Sequence, residues 1–455
     1  MIQVIPSPGV ELRPFHQDTK DRDVSSFSPR APSLLNNHFL PAPSPKTSDA
    51  KDMIDIRSSD TSLLDTLDTQ TLSSLLQPPG KKSFPSLLLW DEKGQSLYDD
   101  ILATPHYYPY RVENALLQKQ ISHIASTISS STTDIIVELG AGNLSKTALL
   151  LSALDRCLDS SSSSSKPIVY YALDVDQSLL ESSLRQLRIR TNLQHIKLRS
   201  LLGTYEDGAR WLSQPDLAPY RKTMVWLGNS IANYEKEEAS ALLTKFTTST
   251  SSSQPHGMMQ IQNLAGFLLG VDGCLDKDKV EKAYDAPGGE NRRWILHALE
   301  AARSQLGLGL EDSESMFDEK HWRFEGRWHS KRQRYDTYLV PLKKLEATIR
   351  GQKVVLEEGE EVFVLGSGKW TAKDVQEICE DDEGPGLRLR RSWHSDEDDY
   401  GKCTQLVCRF TDFDCVVMTT NRTNDDTNYL TGIYWLQPGK KRVDSGIEME
   451  DGDEE

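Results

Sequence analysis

The chain is poor in the residues on which several classes of protein depend. It has six cysteines in 455 residues, Cys157, Cys274, Cys379, Cys403, Cys408 and Cys415, with no Cys-x-x-Cys pair and no zinc-ligand spacing. That argues against a disulfide scaffold or a cysteine metal centre: no metal site is expected, and the cysteines read as reduced structural thiols of a cytosolic protein. Basic residues are outnumbered, 52 Lys and Arg against 68 Asp and Glu, which leaves a formal charge of −16. Nucleic acid and anionic membranes need the opposite sign, so neither is expected as the main partner. No run of about 18 apolar residues occurs, so no membrane span is expected. The opening MIQVIPSPGVELRPF lacks the basic start and apolar core of a signal peptide, consistent with a cytoplasmic location.

The length suggests two or three domains. Residues 1–60 are rich in Pro, Ser, Asp and Lys without apolar periodicity, and 438–455 form an acidic tail; both read as disordered. Between them, strand-like runs alternate with helical ones. Asp134–Thr147, DIIVELGAGNLSKT, reads as a buried strand, a glycine turn and the start of a helix. Gly140 and Gly142 permit a sharp turn and a close ligand approach, although such a loop on its own serves equally as a bare strand–helix link. Glu138 lies inside the apolar run, where a carboxylate needs a partner.

The second strand, Lys166–Val175, ends at Asp174, the place where Rossmann-like sites hold ribose hydroxyls. The loop lacks the further glycines of a pyrophosphate binder, so a ribose ligand without pyrophosphate fits, S-adenosylmethionine being the common one. Further strands are expected at Ile196–Leu202, Thr223–Leu227 and Gly257–Leu264, giving a parallel sheet covered on both faces. Loops 140–147, 174–176, 203–207 and 228–234 should then converge at the carboxyl ends of the strands. Leu268–Trp370 breaks the rhythm. With the amphipathic Thr61–Leu76 and the aromatic-rich Leu87–Glu113 (Trp90, Tyr98, Tyr107, Tyr108, Tyr110), it reads as an α+β unit.

Seven motifs in order carry a resemblance: YDDILATPHYYPYRVE, ELGAGNLSKT, YYALDVD, GTYEDGARWL, WLGNSIANY, DKVEKAYD and GEEVFVLGSGKW. Over about residues 61–437 the chain resembles the histidine-specific methyltransferase family. Its members transfer methyl from S-adenosylmethionine to an amino acid's α-amino nitrogen; they include the ergothioneine-pathway histidine methyltransferase and the fungal dimethylallyltryptophan N-methyltransferases. The resemblance implies an α/β fold: a Rossmann-like class I methyltransferase domain (131–267 with 373–437) and an inserted α+β substrate-binding domain (61–130 with 268–372).

It also implies roles. Gly140, Gly142 and Lys146 match the cofactor loop, Asp174 the ribose-holding acid, and Thr204 and Tyr205 the pair beside the adenine. Gly228 and Asn233 match the substrate loop, Tyr284 the tyrosine that holds the carboxylate, and Tyr107 a tyrosine of the side-chain pocket. Tyr107 and Asn233 are thereby the groups expected to orient the reacting amine. Trp90 stands where bacterial histidine enzymes carry a tyrosine, and Thr337 where they carry a methionine. Leu365, two residues before the matched Ser367, stands where they carry the glutamate that binds imidazole.

The implied activity is Nα-methylation of histidine or of a tryptophan-derived or other aromatic amino acid. A free-standing form, without a sulfoxide-synthase domain following it, suits secondary metabolism. The expected partner is a small amino-acid substrate, and the expected state a monomer or weak oligomer. A second reading is a catalytically silent family member that binds the cofactor or a partner protein.

Overall fold

A computed structural model describes residues 52–57, 67–159, 166–247, 261–309, 316–380, 384–395 and 432–438. The expectations for residues 1–51 and 439–455 and for the serine-rich loops at 160–165 and 248–256 lie outside these. In chain order, the first elements are β1 (Met53–Asp55), α1 (Leu67–Leu75), α2 (Glu92–Ala103) and α3 (Tyr108–Ser130). Strand and helix then alternate through β2 (Ile135–Leu139), α4 (Ser145–Asp159), β3 (Ile168–Asp174), α5 (Gln177–Arg190), β4 (Ile196–Leu202) and α6 (Tyr205–Leu212). The alternation continues with β5 (Lys222–Trp226), α7 (Lys236–Lys245) and β6 (Leu264–Val271). The helices α8 (Lys277–Tyr284) and α9 (Glu290–Gln305) lead to the strands β7 (Trp322–His329), β8 (Arg334–Pro341), β9 (Leu345–Ile349), β10 (Gln352–Leu356) and β11 (Val362–Gly368). The described chain closes with α10 (Ala372–Glu380), β12 (Leu387–His394) and β13 (Gly432–Pro438).

Eight strands form one sheet in the order β1-β4-β3-β2-β5-β6-β13-β12. The first six are parallel, and β13 pairs antiparallel with both β6 and β12. Every residue of β2 (IIVEL), β5 (KTMVW) and β6 (LAGFLLGV) is buried, as a sheet covered on both faces requires. This is the Rossmann-like α/β arrangement expected. The strand order reverses at β2, which has β3 on one side and β5 on the other. That reversal opens the ligand crevice of such sheets, beyond the carboxyl ends of β2 and β5.

Two apolar clusters cover the faces of this sheet. One joins α6 and α7 to it and includes Trp226, Phe246 and Phe267; the other joins α3, α4 and α5 and includes Tyr170, Leu151 and Leu184. A third core lies outside the sheet. It gathers α1, α2, α8, α9, the β11-β8-β7 antiparallel sheet and the β9–β10 hairpin around Trp294, Tyr335 and Leu339.

Three boundaries drawn from the sequence move. Met53–Asp55, placed in the disordered leader, form an edge strand on β4 in which Asp52 O accepts from Ser200 N (3.0 Å) and Asp52 Oδ2 from Arg188 (2.8 Å). Three residues are too few for any periodicity to reveal. Among the described residues the fifth strand runs from Leu264 to Val271, past the expected end at Leu264, so a division at 267/268 would cut it. Helix α3 is shared: Tyr108 and Val112 enter the third core, whereas Leu116, Ile124 and Ile128 pack beneath the main sheet. A 23-residue helix spans about 35 Å, long enough to serve two cores at once.

Candidate functional site

The glycine turn after β2 has a tight backbone. Gly140 and Gly142 have φ of 66° and 53°, a region in which a side chain is strained. The two glycines serve different neighbours. A Cβ on Gly140 would sit 2.7 Å from Tyr205 Oη, whereas one on Gly142 would meet no protein atom within 4 Å. Gly140 therefore makes room for the tyrosine, and Gly142 borders open space. Gly142 N–H donates to Asp174 Oδ2 (3.2 Å) and Gly142 O accepts from Ser183 (2.9 Å), which ties the turn to β3 and α5.

Asp174 also accepts the N–H of Val175 (2.8 Å). Burial pushes its carboxyl up from the usual range, with the main-chain N–H groups pulling the other way. Tyr205, the first residue of α6, leans on Trp226 with ring centroids 4.7 Å apart. Thr204 is occupied by the helix: its hydroxyl accepts Asp207 N–H (3.2 Å), and Asp207 Oδ2 takes Thr204 N–H (2.9 Å) in a capping box. The partner that Glu138 needs is present. Thr147 Oγ1 (2.6 Å) and Tyr170 Oη (2.5 Å) both donate to Glu138 Oε2, and burial still raises the carboxyl to about 7.

Lys146, in the first turn of α4, pairs with Glu113, a buried carboxylate of α3. Glu113 Oε1 accepts Gly228 N–H (2.8 Å), so a single carboxylate holds both α4 and the loop after β5. Gly270 in β6 leaves the space for it, since a Cβ there would lie 2.2 Å from Glu113 Oε1.

Beside this bridge is a pocket lined by Tyr98, Tyr107, Tyr110, Glu113, Lys146, Gly228, Asn229 and Asp272, closed by Leu102, Pro109 and Val271. Its tyrosines form a chain of edge contacts. Tyr107 lies 5.7 Å from Tyr284 and 6.3 Å from Tyr98, and Tyr98 lies 5.1 Å from both Trp90 and Trp294. Tyr284, the last residue of α8, stacks on Tyr335 (5.2 Å), and its hydroxyl meets Ser367 Oγ (2.8 Å).

The buried Lys369 donates to Tyr284 Oη (2.8 Å) and Ser367 Oγ (3.2 Å) and pairs with Asp272 Oδ2 (2.9 Å), which also accepts Tyr108 O–H (2.7 Å). Asn229, in the left-handed region at φ 63°, donates to Ser367 Oγ (3.3 Å) and accepts Asp272 N–H (2.8 Å). Leu365 lies opposite Thr337 on the strand pair β11–β8, on the same face as Ser367 and packed against the third core.

The geometry thus gathers Gly140, Gly142, Asp174 and Tyr205 at the glycine turn, and Tyr107, Gly228, Tyr284 and Ser367 at or next to the pocket. Trp90 stands one ring behind the wall. Asn233 is not among the pocket-lining groups: its carbonyl accepts from Arg334 (2.6 Å), while Asn229 faces the pocket instead. Sequence reasoning passed over Glu113, Asn229, Asp272 and Lys369. Three of them lie inside quoted motifs (YRVE, WLGNS, GSGKW), and a carboxylate or ammonium beside apolar strand residues was the available signal. Among the described residues, no group of three or more His, Cys, Asp or Glu could hold a metal, and no helix is long and apolar enough to cross a membrane.

Residues 67–406 match a family described as "Histidine-specific methyltransferase, SAM-dependent". The chain is 36% identical over 330 residues to N-methyltransferase imqF of Aspergillus flavus, covering 72% of this chain and 82% of that protein. It is 35% identical over 291 residues to ergothioneine biosynthesis protein 1 of Neurospora crassa, covering 64% of this chain and 30% of that protein. With 4-dimethylallyltryptophan N-methyltransferase easF of Claviceps purpurea it shares 28% identity over 339 residues, 72% of this chain and 91% of that protein.

Proposed function

The chain belongs to the histidine-specific, S-adenosylmethionine-dependent methyltransferase family, and from that premise we propose that it methylates the α-amino nitrogen of an amino acid with an apolar aromatic side chain. The glycine turn fits the cofactor. Gly142 borders open space, and Asp174, taking only main-chain N–H bonds among the described residues, has lone pairs left for ribose hydroxyls. Lys146, with two of its three N–H donors beyond the Glu113 pair, suits the carboxylate end of the ligand. Bound there, S-adenosylmethionine supplies an electrophilic methyl group.

The protein's own part is positioning and desolvation. The nitrogen reacts only as the neutral amine, and a free α-amine has a pKa of about 8 or somewhat above, so the pocket must favour the uncharged form. Walls of Tyr98, Tyr107 and Tyr110 do so by excluding water. Tyr284, backed by Ser367, suits the substrate carboxylate, which fixes where the nitrogen sits.

Leu365 carries the choice of side chain. It shares the strand face of Ser367 and packs against the aromatic third core, so it favours apolar contact and offers an imidazole N–H no acceptor. The test is kcat/KM for histidine and tryptophan, with methyl products read by mass spectrometry. Tryptophan should lead in the wild type, and Leu365→Glu should shift the ratio toward histidine by about 1.5–3 kcal/mol, roughly ten- to a hundred-fold. A wild type strongly selective for histidine would refute the aromatic assignment.

A further inference from the structure

Lys369 follows Leu365 and Ser367 at two-residue spacing on β11 and its extension, where Lys369 N–H continues the ladder to Gln333 O (2.7 Å). Its side chain is wholly buried, and its ammonium lies 4.5 Å from the Tyr284 ring centre. A buried lysine whose three donors all meet protein groups, two of them hydroxyls, determines where the hydroxyl protons point.

Ser367 Oγ accepts one N–H from Lys369 (3.2 Å) and one from Asn229 (3.3 Å), which fills both lone pairs. Its own O–H must therefore donate, and the partner in reach is Tyr284 Oη at 2.8 Å. Tyr284 Oη then accepts from Ser367 and from Lys369 (2.8 Å), and it too is full. The Tyr284 proton turns away from Ser367 and Lys369 toward the Tyr107 hydroxyl, on the side where the pocket lies.

We propose that Lys369 is a positioning residue that polarises Tyr284 and locks its O–H outward, so that the pocket selects substrates bearing a carboxylate over the corresponding amines. Asp272 holds the ammonium in place (2.9 Å) and is itself held by Tyr108 O–H (2.7 Å). The pair is neutral overall, so the lysine acts by aiming a donor rather than by lending a free charge. Without it, Tyr284 Oη regains a lone pair, and its hydroxyl can turn back toward Ser367 as readily as toward a ligand.

This rests on the amino-acid reading above. The test compares tryptophan with tryptamine, and histidine with histamine, in the wild type and in Lys369→Met, the charge-free pair Lys369→Met/Asp272→Asn, and Tyr284→Phe. The wild type should prefer each amino acid to its amine. In the variants that ratio of kcat/KM should fall at least tenfold, through KM for the amino acid, with calorimetric S-adenosylmethionine affinity little changed. If Lys369→Met alone does not fold, the charge-free pair and Tyr284→Phe read the same ratio without an unpaired buried charge. An unchanged ratio, or equal losses on amino acid and amine, overturns the proposal and leaves the amino-acid reading standing. A wild type that methylates no amino acid overturns that reading, and this one with it.

Discussion

Replacing Glu113 tests whether one carboxylate joins the two halves of the site. Its side chain is 4% exposed and that of Lys146 16%; Oε1 takes Gly228 N–H at 2.8 Å while Oε2 faces the ammonium. Breaking a buried ion pair from one side costs about 3–5 kcal/mol, because the survivor is left charged and unsolvated. In Glu113→Ala the survivor is Lys146, which still reaches some water, so about 2–4 kcal/mol is expected. In Lys146→Met the survivor is the more deeply buried carboxylate, and the upper part of the full range applies. Glu113→Gln/Lys146→Met removes both charges yet leaves an amide oxygen for Gly228, and should recover about 1–3 kcal/mol relative to additivity. Urea unfolding followed by tryptophan fluorescence reads these differences, and calorimetry reads cofactor affinity. The single variants should weaken both S-adenosylmethionine and amino-acid binding, since Glu113 orders Lys146 and Gly228 together. Strict additivity in the double variant, or an Ala variant as stable as the wild type, would refute the bridge.

Asp174→Ala should weaken S-adenosylmethionine by about 1.5–3 kcal/mol in calorimetry; a loss confined to the amino acid would contradict the ribose role. Glu138, raised to about 7 from 4.5, holds a proton in the fold that the unfolded chain releases earlier. Its stabilising contribution is therefore full below about 4.5 and declines as pH rises to about 7. Half-buried His394, lowered by desolvation from 6.5 to about 4, has the opposite slope over part of that range, so the quantity to follow is the stability of the wild type minus that of Glu138→Gln; a flat difference would sink the prediction. Removal of residues 1–50 should leave the unfolding midpoint unchanged. Removal of 1–57 should lower the midpoint and the unfolding free energy, the latter by about 1–2 kcal/mol, through loss of the β1 pairing and the Arg188–Asp52 contact. Equal midpoints would show that β1 adds nothing.

Local pattern alone determined the Rossmann-like core. Branched apolar runs such as IIVEL and IVYYALD can be satisfied only by burial on both faces, and the glycine turn and terminal Asp174 follow within a few residues of them. Those features depend on near neighbours in the chain, which a sequence displays directly.

The tertiary structure decided which polar groups meet. Glu113 and Lys146 are 33 residues apart, Asp272 and Lys369 nearly a hundred, and each pair closes only when separate elements pack. The same packing set the Asn233 carbonyl against Arg334 and put Asn229 in the pocket. Gly140 and Gly270 look like any other glycines in the chain, until Tyr205 and Glu113 occupy the space that their missing side chains leave. A buried ion or hydroxyl is tolerated only where distant groups complete its hydrogen bonds, and those partners are set by how the chain folds back on itself rather than by spacing along it.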